Sequence, residues 1–69
     1  MKLILSNIII NLDRVSAIYV EGGYLKLDTG DSAYMVADVP DNALQQIAVA
    51  MAEGKPFLEM DGIAPMEGD

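Results

Sequence analysis

Between residues 15 and 37 the chain alternates apolar and polar positions with a period of two, interrupted twice by glycine-containing turns. Val15 to Glu21 reads as a strand in which Ser16, Ile18 and Val20 share one face and Val15, Ala17 and Tyr19 share the other. Ile18 and Val20 are expected inside, with Tyr19 at an edge or on the outer face. Gly22-Gly23 supplies the positive φ angles that a two-residue hairpin turn requires. Tyr24 to Asp28 is the cleanest alternation in the chain, with Leu25 and Leu27 directed to the core and Tyr24, Lys26 and Asp28 to solvent. Thr29-Gly30-Asp31-Ser32 forms the next turn, and Ala33 to Ala37 returns with Tyr34 and Val36 inward. The pattern predicts an antiparallel meander.

Upstream, Lys2 to Leu5 and Ile8 to Ile10 are two short β-favouring runs separated by Ser6-Asn7. They fit an N-terminal hairpin or a single bent strand. Asn11-Leu12-Asp13-Arg14 favours a turn or one helical turn, because Asx side chains compete for the backbone bonds of a continuing strand. Downstream the period changes to 3.6. Asp38 stands at the expected N-cap, with Pro40 and Asp41 in the first turn, and Leu44, Ile47, Ala48 and Met51 form the expected buried stripe. Ala43, Val49 and Ala50 make a second, weaker apolar face, and Gly54 with Lys55-Pro56 ends the helix. Phe57 to Met60 fits a last short strand or an extended segment. The expected fold is α+β, a small antiparallel β-meander of four to five strands packed against one C-terminal helix. Residues 1–60 form its single domain, and 61–69 an acidic, disordered tail.

Composition narrows the chemistry. At 69 residues the chain hides about 60% of its unfolded surface, so stability is marginal without help. Cysteine and histidine are both absent, which removes disulfides, thiolate metal sites and the commonest general base. An apolar content of 52% is high for so short a chain, so either the core is unusually rich or some apolar surface is shared with a partner. The N-terminal apolar run is broken by Ser6, Asn7 and Asn11 and falls short of a membrane span or an export signal. A cytoplasmic location with no membrane partner is the resulting expectation.

Eleven acidic residues against four basic ones give a formal net charge of −7, which repels phosphate backbones and favours basic partners. Asp28 and Asp31 flank one turn and Asp38 and Asp41 open the helix, but calcium wants roughly six to eight oxygens and no spacing here supplies them. No metal or cofactor site is expected. Nucleophilic and phosphoryl-transfer chemistry have no candidate residues. Asp28-Thr29-Gly30 matches the tripeptide that aspartic proteases place at their catalytic carboxylate, and its alternative reading is an ordinary turn.

The order Asn11-x-Asp13-x-Val15-x-x-Ile18, with Leu27, Gly30, Tyr34 and Val36, resembles the FlbD-like family of small bacterial proteins over residues 10–52. Many short phage proteins share that plan. The resemblance implies a meander-plus-helix fold, and the chain departs from it where Glu21-Gly22-Gly23 replaces the family's Pro-Asp-Thr hairpin. Leu12-Asp13, Ile18-Tyr19 and Glu21 to Leu27 also look like the core of LytTR-type DNA-binding domains. Those domains need a basic stripe, and Lys2, Arg14, Lys26 and Lys55 are scattered, so no nucleic-acid binding is expected.

The function expected from these features is a non-enzymatic, acidic interaction protein, of a kind that suits a phage or mobile element. It binds a larger basic or nucleic-acid-binding protein and modulates or inhibits it, in the sharper form as a nucleic-acid mimic. Asp28, Asp31, Asp38, Asp41, Glu59 and Asp61 are the candidate partner-binding residues, the first four forming a row at one end of the meander and Glu67 and Asp69 extending the charge. The alternatives are a self-associating assembly subunit, a homodimer through the alanine face of the helix and the first strand of the meander, and an enzyme using carboxylates alone.

Overall fold

The apolar run at the start of the chain resolves into a hairpin. The structure, a computed structural model, describes residues 1–64. Strand β1 (Lys2–Ile4) pairs antiparallel with β2 (Ile9–Asn11), Leu3 opposite Ile10, and the Leu5 N–H donates to the Ile8 carbonyl at 2.9 Å across the Ser6-Asn7 turn. The Asn11 side chain then accepts from the Asp13 N–H at 3.1 Å and opens a single 3-10 turn, Leu12–Arg14. This turn redirects the chain, so the hairpin does not continue into the meander.

The meander consists of β3 (Ala17–Glu21), β4 (Tyr24–Asp28) and β5 (Ala33–Val36), in that spatial order. Gly22 and Gly23 have φ of 60° and 83°, the mirror-image turn whose twist matches the flanking strands. Leu25, Leu27 and Val36 are fully buried and Tyr34 half-buried, as the alternation predicts. Val20 departs from it. It lies opposite Leu25 on the inner face, yet is 53% exposed, because β3 is an edge strand of its sheet.

The expected single sheet of four to five strands is replaced by two three-stranded sheets, β3-β4-β5 and β2-β1-β6. The sixth strand, β6 (Phe57–Glu59), follows the helix and pairs parallel with β1, Lys2 opposite Phe57, so the helix is not the last element. The α+β class stands, with one mixed sheet that alternation alone does not reveal.

Helix α1 (Ala43–Ala52) also starts later than expected. Asp38 has φ of 58°, a left-handed conformation, and does not cap the helix. Asn42 holds that position without a side-chain bond to the backbone, its carboxamide instead accepting from Gln46 Nε2 at 2.8 Å. The C-terminus follows the expected form: Gly54 at φ 70° lets its own N–H reach the Met51 carbonyl and that of Lys55 reach Ala50, both at 3.0 Å. The buried stripe is Ala43, Ile47 and Ala50, while Leu44, Ala48 and Met51 face outward. Small residues at both ends of the stripe let this short helix approach the core closely; the packed face takes Ile47 from the expected stripe and Ala43 and Ala50 from the second face, and leaves Val49 exposed.

Residues 61–64, assigned by composition to the tail, are part of the fold. Ala37 and Ile63 exchange N–H···O=C bonds of 2.9 Å, the Ser6 N–H donates to the Gly62 carbonyl, and the Asn7 carboxamide makes two bonds to the backbone of Ala64. Residues 65–69, with Glu67 and Asp69, lie outside the described residues. Leu3, Leu5, Ile10 and Leu12 from the first sheet and its flanks join Leu25, Leu27 and Val36, Ile47 and Met60 in one core. Among the described residues no helix is long and apolar enough to cross a membrane.

Two positions test this packing. A Cβ at Gly62 would lie 2.9 Å from Val36 Cγ1, 3.0 Å from Val39 Cγ1 and 3.1 Å from Leu5 Cδ2, and branched valines cannot swing aside. Gly62→Ala is expected to cost about 1–3 kcal/mol, read as a lowered thermal midpoint; an unchanged midpoint would show that the core yields freely. At Asp38, relief of the left-handed backbone by Asp38→Gly is expected to add a few tenths to about 1 kcal/mol, with Asp38→Val acting in the opposite direction.

Candidate functional site

The candidate carboxylates are sorted by the course of β5. Asp28 and Asp31 belong to the turn before it, and Asp38 and Asp41 follow it, so roughly 20 Å of extended chain at about 3.3 Å per residue separates Asp31 from Asp38. The expected row at one end of the meander is therefore two groups. In the first, Asp28 Oδ1 accepts from the Gly30 N–H at 2.8 Å, and Thr29 Oγ1 donates to the Ser32 carbonyl at 3.0 Å. The Asp-Thr-Gly tripeptide is thus tied to its own turn. Asp31 also shares a cleft of about 530 Å³ with Arg14, Ile9 and Tyr34, so a positive charge borders the same cleft.

The second group is assembled by contacts distant in sequence. Parallel pairing of β6 with β1 and the bonds of residues 60–63 to Ile4, Ser6 and Ala37 bring Glu59 and Asp61 beside the loop that carries Asp38 and Asp41. Glu59 and Asp61 border a shallow cavity of about 430 Å³ together with Pro40 and Gln46, above Ile4, Leu5 and Met60. Sequence reasoning did not find Pro40, Gln46 or the cavity they border, because no local signal announces a parallel β1–β6 pair. Asp38, Asp41, Glu59 and Asp61 are exposed.

Charge pairing divides the carboxylates further. Three ion pairs occur among the described residues: the Met1 ammonium with Asp13 at 3.0 Å, Lys26 with Glu21 at 2.7 Å, and Lys55 with Glu53 at 3.5 Å. None involves Asp28, Asp31, Asp38, Asp41, Glu59 or Asp61. The hydrogen bond from the chain's amino group, then its charge, holds Asp13 below the ordinary carboxylate range. The hydrogen bond and charge of Lys26 lower Glu21, and the hydrogen bond to Glu21 raises Lys26 in turn. Among the described residues no three His, Cys, Asp or Glu side chains converge as a metal site would require.

Compared with protein-family models, curated proteins and solved structures, the chain matches none of them significantly.

The paired carboxylates set the pH dependence. Asp13 and Glu21 titrate lower in the folded chain, so their stabilisation is present above about pH 4 and is lost as pH falls through the lowered values. Lys26 titrates higher, so its share is present below about pH 10.4 and is lost as pH rises through the raised value. Solvent screening keeps both effects small. In low salt, Asp13→Asn and Glu21→Gln are each expected to flatten the acid limb of stability measured by urea unfolding. An acid limb identical to that of the parent chain would show that these pairs do not form.

Proposed function

We propose that this chain is a non-enzymatic acidic interaction protein that binds a larger, basic partner protein and modulates or inhibits it. The observation that supports this reading most is the division of charge. The amino terminus, Lys26 and Lys55 are engaged with Asp13, Glu21 and Glu53, while Asp38, Asp41, Glu59 and Asp61 carry no ion pair among the described residues, and Pro40 of the Asp38–Asp41 loop borders the same cavity as Glu59 and Asp61. Their contact chemistry suits lysine and arginine. A cationic side chain would lay its alkyl stem along the cavity over Ile4, Leu5 and Met60 and set its charged head between Glu59 and Asp61. Partners whose grooves normally receive phosphates present such side chains, and a net charge of −7 steers them in at long range. The turn group, Asp28 and Asp31, is the weaker contact because Arg14 borders the same cleft.

The test is capture of partner protein from the source cells on the immobilised full chain. A basic protein is expected to be retained at about 0.05 M salt and released by about 0.5 M, where the screening length falls below about 5 Å. Replacing Asp38, Asp41 and Asp61 by Asn and Glu59 by Gln together is expected to weaken retention about tenfold, and Asp28→Asn with Asp31→Asn far less. Equal retention by the fourfold variant, or no retained protein at either salt concentration, would overturn the reading.

A further inference from the structure

One edge of the molecule collects every residue that the apolar pattern places inside and the single chain leaves outside. These are Val20 on β3 and Leu44, Ala48 and Met51 on α1, with Val20 53%, Leu44 40% and Met51 47% exposed. Leu44, Ala48 and Met51 recur at helical spacing, and with Val15 and Ile18 they line a groove of about 320 Å³ whose walls carry no charged side chain. Beside this groove runs the open edge of β3.

The hairpin geometry fixes what that edge offers. A two-residue mirror-image turn makes Glu21 and Tyr24 a hydrogen-bonded pair, and bonded pairs alternate along an antiparallel ladder. Tyr19 is therefore bonded to Lys26, whereas Ile18 and Val20 turn their N–H and C=O groups away from β4. The edge presents two donors and two acceptors, spaced two residues apart.

We propose that this edge and groove are covered by a second copy of the chain. The two β3 strands pair antiparallel about a two-fold axis at Tyr19, with Ile18 opposite Val20 of the second copy. This register joins all the outward groups of both edges. Because the axis is perpendicular to the sheet, both inner faces lie on the same side, so α1 meets α1 through the Leu44, Ala48 and Met51 stripe. Val20 of each copy is set beside Ile18, a wall of the other's groove. The product is a continuous six-stranded sheet carrying two helices on one side.

Charge and area favour a second copy over another occupant. Two chains of net charge −7 repel across most of their surface, and this uncharged face is where they can meet. Glu21, the nearest charge on the strand, falls opposite Ala17 in this register and is already paired with Lys26. A specific interface needs a total of about 1,000 Å², or roughly 500 Å² from each copy, a small fraction of this chain's 4493 Å². The inference does not rest on the proposed basic partner, since Asp38 follows β5, the opposite edge of the meander.

Sedimentation of the full chain between about 1 and 100 µM tests the proposal. The chain is expected to dimerise within that range. Ala48→Glu, which sets two carboxylates across the axis, and Val20→Pro, which removes an outward N–H that no internal bond uses, are each expected to weaken dimerisation at least about tenfold with unchanged circular dichroism. Val49→Glu, exposed on the helix away from the groove, is expected to leave it unchanged. A monomer throughout the range would overturn the proposal, as would a dimer that survives both Ala48→Glu and Val20→Pro.

Discussion

Two reciprocal backbone bonds between Ala37 and Ile63 hold the halves of this protein together. Each half is a three-stranded sheet with one apolar face, the smallest sheet that can be stable once that face is covered. The Ala37–Ile63 pair sets the end of the meander against the segment leaving β6, and the Asn7 carboxamide fastens the same segment to the first hairpin through Ala64. Gly62 lies between these fastenings, where the backbone passes so close to Val36, Val39 and Leu5 that a side chain has no room. One core from both sheets follows from that closure, and so does the placing of Glu59 and Asp61 beside Pro40 in the loop that carries Asp38 and Asp41.

Much of the architecture was legible where local physics decides it. The Gly22-Gly23 hairpin, the Leu25 and Leu27 alternation, the Asn11 turn and the Gly54 helix stop are each fixed by a few neighbouring residues, and each stands as expected. What local physics does not decide was not legible. Parallel pairing of β1 with β6 joins opposite ends of the chain, and three-residue strands leave too short a period to announce it. The buried face of α1 lies between the two apolar faces of the sequence, taking Ile47 from one and Ala43 and Ala50 from the other, and only the neighbouring sheet sets that rotation. Asp38 reads as a cap in sequence, but Ala37 is already committed to Ile63, and the chain must turn through a left-handed residue to leave it. Of the candidate carboxylates, the placement was not legible, since it is set by β5 and β6 together.

The two proposed surfaces divide the molecule by chemistry. The neutral strand edge and helix stripe suit association of like with like, while the unpaired carboxylates suit an unlike, cationic partner. Because these surfaces stand on opposite edges of the meander, a dimer would display two acidic sites at a fixed separation. A partner with two basic sites could engage both, and the second engagement would be intramolecular. Avidity of that kind lets exposed charges, individually worth little, sum to a useful affinity.

The position of β1 between β2 and β6 carries a kinetic consequence. β1 and β2 leave the ribosome close together and can pair at once, but the other edge of β1 must wait for β6, which follows only after the meander and the helix. At about 5–20 residues per second the wait lasts on the order of seconds, far longer than hairpin formation. The nascent hairpin therefore spends its early life with an open edge and an apolar face. Its shortness, and Lys2 on the waiting strand, are what protect it from pairing with a neighbour. Any event that delays β6 leaves the β2-β1-β6 sheet short of its third strand, while β3-β4-β5 is already complete.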